Sequence, residues 1–179
     1  MRIVVSGTHA SGKSTLISDF AGRHPDFEVF GDVYELLDDA PDEPDAATFA
    51  AQFVISAERL EDHDGGQLIV ERGPLDFLAY LEALERLGRP TRGGTPTQRL
   101  LDRAAAAMAG VDVVAVLPLN DRDLIEVSAD EDLELRVAMN DALLDYVDTD
   151  LIGAASVVEI TGDPSDRVAA LEAAIAHLW

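Results

Sequence analysis

Gly7-Thr8-His9-Ala10-Ser11-Gly12-Lys13-Ser14 satisfies the spacing Gly-x-x-x-x-Gly-Lys-Ser/Thr, in which a glycine-rich turn offers its backbone N–H groups to a polyphosphate. The apolar, β-branched run Arg2-Ile3-Val4-Val5-Ser6 before it reads as a buried strand. Ser14-Thr15-Leu16-Ile17-Ser18-Asp19-Phe20 after it begins an amphipathic helix. Strand, loop, helix is the order that aims the loop amides and the positive helix end at one anion. Lys13 is also the only lysine among 179 residues, every other side-chain cation being arginine. A compact ammonium threads between phosphate oxygens where a wide guanidinium would collide with the loop, which explains why the lysine stands at this position. In this reading Gly7 and Gly12 permit the turn, and Thr8, His9, Ala10 and Ser11 line it. Lys13 reaches the β and γ phosphates, and the Ser14 hydroxyl ligates Mg²⁺. Thr15 either adds a second hydroxyl to the site or only caps and packs.

Composition bounds the remainder. A chain of this length is most economically one domain, 1–179, with a core large enough to need no staples, and the absence of cysteine excludes a disulfide framework. The apolar run at the amino terminus breaks at Ser6, and no stretch is long enough to span a bilayer, so a soluble, cytoplasmic protein is expected. The formal net charge of −22 repels nucleic acid phosphates and anionic lipid, arguing against long nucleic acid or membrane partners. Most of the acids read as a solvated surface, and residues 38–45 read as a loop. A homodimer is one of the oligomeric states left open.

Along the chain, strands and helices alternate. Phe27-Glu28-Val29-Phe30, Gln67-Leu68-Ile69-Val70, Val111-Asp112-Val113-Val114-Ala115-Val116-Leu117 and Ser156-Val157-Val158-Glu159-Ile160 are the remaining strands. Helices are expected over 46–62, 74–87, 97–109, 132–147 and 164–178, with Pro74 and Pro164 suited to first turns. Such alternation predicts an α/β fold in which a five-stranded parallel sheet carries helices on both faces. Ligand chemistry then belongs at the carboxyl ends of the strands.

Glu71-Arg72-Gly73-Pro74-Leu75-Asp76 follows the third strand. A carboxylate there can hold Mg²⁺ or its waters, and the adjacent arginine can neutralise a transferring phosphoryl group. Together with the glycine loop, Glu71-Arg72 resembles the acid-arginine pair of nucleoside and nucleotide kinases, and Phe77-Leu78-Ala79-Tyr80 extends the likeness to thymidylate kinases. The resemblance implies a three-layer P-loop NTPase fold, ATP and Mg as cofactors, and a small-molecule acceptor. It also implies a base after the second strand, where Gly31-Asp32-Val33-Tyr34-Glu35 offers two carboxylates. Glu35 is narrowly favoured as base, with Asp32 as a substrate or metal-water ligand. A lid is implied over about 118–132, with Arg122 and then Arg136 as its phosphate-binding arginines. Gln52 stands where such kinases present an amide to a base, although a solvent-facing glutamine is the better expectation. Gly162 and Asp163 would pack beside a purine, or merely cap a helix.

The lid departs from the pattern, because Asp121, Asp123, Glu126, Asp130, Glu131 and Asp132 dominate it. Such acids repel a phosphorylated acceptor and tilt the expectation towards an uncharged or cationic alcohol, such as a nucleoside or an amino sugar. Gly88-Arg89-Pro90-Thr91-Arg92-Gly93-Gly94-Thr95 has cations and no acid, so it is either a cover for substrate phosphate or a mobile loop. The four histidines show no metal-ligand spacing, and His9 could touch a phosphate. The rival readings are an ATPase or regulatory ATP-binding module without an acceptor, and a GTPase switch. Asn120-Asp121-Arg122-Asp123 mimics a guanine-reading motif, but puts aspartate where that motif needs lysine.

Overall fold

A computed structural model describes residues 1–36, 45–90, 96–120, 123, 125, 127–128 and 131–178. Five strands, β1 (Arg2–Ser6), β2 (Phe27–Phe30), β3 (Gln67–Glu71), β4 (Val113–Val116) and β5 (Ser156–Glu159), form one sheet in the order β2-β3-β1-β4-β5. All four pairings are parallel, with Val4 opposite Val70 on one side and Val114 on the other. Among the described residues six α-helices cover it: α1 (Lys13–Arg23), α2 (Ala46–Glu61), α3 (Pro74–Arg86), α4 (Gln98–Met108), α5 (Leu133–Val147) and α6 (Pro164–Ala176).

The strand side chains divide by parity, as a pleated sheet requires. Ile3, Val5, Ile69, Val113 and Ala115 point into the layer of α1 and α6, around Leu16, Phe20, Val168 and Leu171. Val4, Leu68, Val70, Val114 and Val116 face the opposite layer, where α2, α3, α4 and α5 contribute Phe53, Phe77, Leu78, Met108 and Met139. The central strands are therefore apolar on both faces along their middles, Ile3 to Val5, Leu68 to Val70 and Val113 to Val116, the pattern of a sheet covered on both sides. The edge strands β2 and β5 keep exposed positions at Val29 and Val157.

The expected fold class stands, with element ends shifted by one or two residues. The fourth strand is shorter than 111–117 because Val111 N–H closes the end of α4 on Met108 O. Glu71 belongs to β3 as its last residue, opposite Val5 of β1, which delivers its carboxylate to the rim beside the glycine loop. The last helix stops at Ala176, where His177 caps it. Of the acidic run 38–45, only Asp45 lies within the described residues; it caps α2 by accepting from Thr48 N–H.

Candidate active site

The glycine loop leaves β1 at Gly7 (φ 155°) and enters α1 through Gly12, whose φ of 89° lies in the left-handed region. Between them Ala10 also has a positive φ, 50°. The Lys13 ammonium is buried and donates to Thr8 O at 2.9 Å, folding the side chain back over the turn. Its Nζ lies 3.9 Å from Glu71 Oε1, the same oxygen that accepts from Ser14 Oγ at 2.9 Å. Burial, and then repulsion from Arg72, pull Lys13 down to about 7, while Glu71, Asp76 and Asp32 oppose the shift. A polyphosphate would supply the negative charge that offsets this burial. Thr8 Oγ1 and Ser11 Oγ are likewise buried and without a hydrogen-bond partner among the described residues, so the loop retains unspent polar groups.

Arg72 follows immediately, with a left-handed backbone (φ 64°) that turns its side chain across the rim. Its Nε comes within 2.9 Å of Asp32 Oδ2, and its guanidinium carbon lies 5.3 Å from the centre of the Tyr80 ring. The Asp32 approach is an ion pair and not a hydrogen bond, because the N–H does not point at the oxygen. Burial works against the Arg72 charge, but Tyr80, Asp32 and Asp76 outweigh it and raise its pKa. Tyr80 in turn accepts the His9 N–H at 3.1 Å and stacks flat on Phe49, with centroids 4.4 Å apart.

The structure thus brings Lys13, Ser14, Glu71, Arg72 and Asp32 into one continuous cluster. A hydroxyl beside a carboxylate is a hard-oxygen donor set suited to Mg²⁺ with phosphate oxygens and water completing the shell. Among the described residues, no group of three or more His, Asp or Glu gathers to bind a metal without such help. Glu35 sits in a short 3-10 turn (Val33–Leu36), exposed, and its carboxylate lies back towards Gly31. Thr15 is exposed on α1. Gln52 is not solvent-facing: it is buried in α2, on the helix that also carries Phe49 and Phe53. Arg136 of α5 donates from Nε to His9 O at 3.0 Å and from a terminal nitrogen to Ala10 O at 3.1 Å, tying α5 to the crest of the loop. The His9 ring is exposed, 3.5 Å from Glu131. Asp163 caps α6 through Asp166 N–H, and Gly162 engages its neighbours through the backbone. Arg122, Asp121, Glu126, Asp130 and Arg92 lie outside the described residues. Arg89 is held by Asp132 and Glu134.

Two participants escape the sequence reading. Asp76, fully buried, accepts from Ser6 Oγ (2.7 Å), Gly7 N–H (2.9 Å) and Gly73 N–H (2.9 Å), so one carboxylate joins the start of the glycine loop to the turn after Arg72. Burial raises its pKa, and Arg72 and the three donors oppose the rise. Its one local signal is an acid at the third position of a helix that starts with proline, where it reaches back to the cap. Arg167, also buried, bonds three separate segments around the loop. Nothing in its local sequence announces this.

A parallel sheet in this order, with the glycine loop between β1 and α1 and an acid-arginine pair on the adjoining strand, defines a P-loop nucleotide-binding protein. The chain belongs to an AAA domain family, whose sequence model matches residues 2–167. No curated protein matches it in sequence. Solved structures share the fold at low identity. Thymidylate kinase from Candida albicans is 17% identical with a TM-score of 0.68, covering 99% of this chain and 91% of the kinase. Deoxyadenosine kinase from M. mycoides, with bound dATP, is 13% identical with a TM-score of 0.65, covering 98% of this chain and 99% of the other. Shikimate kinase from Aquifex aeolicus is 14% identical with a TM-score of 0.57, over 99% and 98%. Among the described residues no helix is long and apolar enough to cross a membrane.

Proposed function

We propose that the protein is an ATP-dependent phosphotransferase that moves the γ-phosphoryl group of ATP to a hydroxyl of an uncharged or cationic small molecule. The observation that carries this reading is the contiguity of two half-sites. Lys13, Ser14 and Glu71 meet at one carboxylate oxygen, and Arg72 beside them reaches a second carboxylate, Asp32. A second carboxylate beside an arginine offers an acceptor hydroxyl a base and a charge partner, and the acceptor dependence tested below separates this from activation of water. The likeness to three small-molecule kinases supports the same choice.

In this mechanism the loop amides and Lys13 hold the β and γ phosphates, and Ser14 and Glu71 hold Mg²⁺, which neutralises phosphate charge when bound. The acceptor O–H gives its proton to a carboxylate as its oxygen bonds to phosphorus. The β,γ-bridging P–O bond breaks and ADP departs. Asp32 is the better placed of the two candidate bases, because it alone has its carboxylate against Arg72. Glu35 would have to swing in from its exposed turn. Arg72 then stabilises charge on the transferring group, and Arg136 can exchange the loop carbonyls for phosphate. Asp123, which would read guanine in a GTPase, spends one oxygen on Gly162 N–H and the other on Arg167 and Asn120. That argues for adenine as the donor base.

The test is ADP release from ATP·Mg²⁺ across nucleosides, nucleotides, amino sugars and cofactor precursors. Release is expected only with an acceptor, and Lys13→Ala is expected to slow it by at least about a hundredfold without unfolding the chain. Acceptor-independent release favours the ATPase reading, and full activity in Lys13→Ala refutes the site.

A further inference from the structure

The three loops around the donor site converge on a single guanidinium. Arg167, in the first turns of α6, donates from Nε to Gly162 O (2.8 Å), from Nη1 to Ser11 O (2.8 Å) and from Nη2 to Asp123 Oδ2 (2.7 Å). Ser11 belongs to the glycine loop, Asp123 follows β4, and Gly162 follows β5. Both ion-pair partners are buried, with side chains 7% exposed. The pairing is cross-braced: Asp123 Oδ1 accepts Gly162 N–H at 2.8 Å, and Asn120 donates to Asp123 Oδ2 at 2.8 Å. Hydrogen bonding to Asn120, Gly162 and Arg167 overcomes the burial of Asp123 and keeps its carboxyl below the usual range.

The guanidinium also packs against Gly12, where any Cβ would run into Nη1. Fixing the Ser11 carbonyl fixes the peptide plane that carries the Gly12 N–H, one of the amides a phosphate uses. A cavity of about 270 Å³ opens beside this junction, lined by Ser11, Asn120, Asp123 and Arg136 among others, and Arg167 does not line it. Arg167 is buried and each of its three guanidinium nitrogens donates to a protein acceptor, so it braces the loop from the protein side.

We propose that Arg167 is a positioning residue for the phosphoryl donor, which locks the glycine loop to the β4 and β5 loops through Ser11, Asp123 and Gly162 without touching the nucleotide. This rests on reading the glycine loop as the ATP site. The planar fork matters: a lysine in the same place can serve one of the three acceptors and keep the charge, but not the geometry.

The experiment measures the ATP·Mg²⁺ dissociation constant and the unfolding midpoint of wild type, Arg167→Lys and Arg167→Ala, the last with added guanidinium or methylammonium chloride at equal low-millimolar concentration. Arg167→Ala is expected to bind ATP at least about tenfold more weakly while still melting cooperatively, and Arg167→Lys to recover less than half of that loss on a logarithmic scale. Guanidinium, but not methylammonium, is expected to restore affinity to Arg167→Ala. Binding within about twofold of wild type in the folded Ala variant overturns the proposal, as does equal rescue by both cations. If Arg167→Ala does not fold, Asp123→Asn, which keeps the volume and breaks the pair, is expected to lose at least about threefold in affinity, and unchanged affinity there overturns it. A wild type that binds no ATP overturns the donor reading and this proposal with it.

Discussion

Replacing Asp76 by asparagine exchanges one carboxylate oxygen for an NH₂ group and should destabilise the chain measurably. The carboxylate accepts three donors, and two of them, the N–H groups of Gly7 and Gly73, are backbone groups that cannot turn away. An amide has one oxygen, so its NH₂ must confront one of those N–H groups, whichever way it is placed. The Ser6 hydroxyl can reverse and accept. One lost hydrogen bond to a charged acceptor costs about 1.5–3 kcal/mol, and the orphaned N–H stays buried. Arg72 also loses one of the two carboxylates that support its charge. Against this, a neutral amide escapes the burial penalty that raises the Asp76 pKa. The net loss is about 2–3 kcal/mol, which for a chain of this length lowers the melting temperature by roughly 5–10 °C. Calorimetry at pH 7 without nucleotide measures it. A fall of less than about 2 °C would refute the claim that this carboxylate ties the glycine loop to the Arg72 turn.

Stability of the nucleotide-free protein should carry the signature of Lys13, whose pKa falls from 10.5 to about 7 on folding. Between those values the unfolded chain holds a proton that the folded chain does not, so this group's contribution to stability rises with pH through the window and is constant below it. From pH 7 to 9 the gain is about 2 kcal/mol in urea unfolding relative to Lys13→Met, and a pH-independent difference between the two proteins would contradict it. Gly12→Ala forces a side chain into a backbone with φ 89° and against the Arg167 guanidinium. The strain costs about 1–3 kcal/mol and should weaken ATP binding at least about tenfold; titration with ATP·Mg²⁺ decides it, and wild-type affinity would count against the account of the loop.

Most of the fold was legible because the signals that specify it are local. Continuous apolar runs in β1 and β3, prolines at the starts of α3 and α6, and the glycine loop between β1 and α1 each mark an element where it stands. The placement of candidate site residues next to a strand end was readable for the same reason: Lys13, Ser14, Glu71 and Arg72 are fixed by their distance from β1 and β3. What escaped is held by contacts between distant segments. Arg167 meets Ser11 across a sequence separation of 156, and Asp76 meets Gly7 across 69, distances at which no spacing rule operates. Gln52 shows the converse failure, since a polar residue on a helix invites an exposed reading that the packing of α2 overrides. Between Asp32 and Glu35 the sequence reading narrowly favoured Glu35, whereas the ion pair to Arg72 falls to Asp32, a contact that no spacing within the segment reveals.

The sole lysine has a consequence for how the protein can be studied. Apart from the α-amino group of Met1, the chain carries one amine, and it sits 3% exposed in the phosphate cradle. Burial and Arg72 lower its pKa to about 7 in the nucleotide-free protein. A phosphate-bearing aldehyde or another anionic electrophile would meet one side-chain amine, inside the glycine loop, besides the α-amino group. Counting adducts by intact mass reports occupancy of the cradle on the unaltered protein, with the α-amino group distinguishable by its place in the terminal peptide.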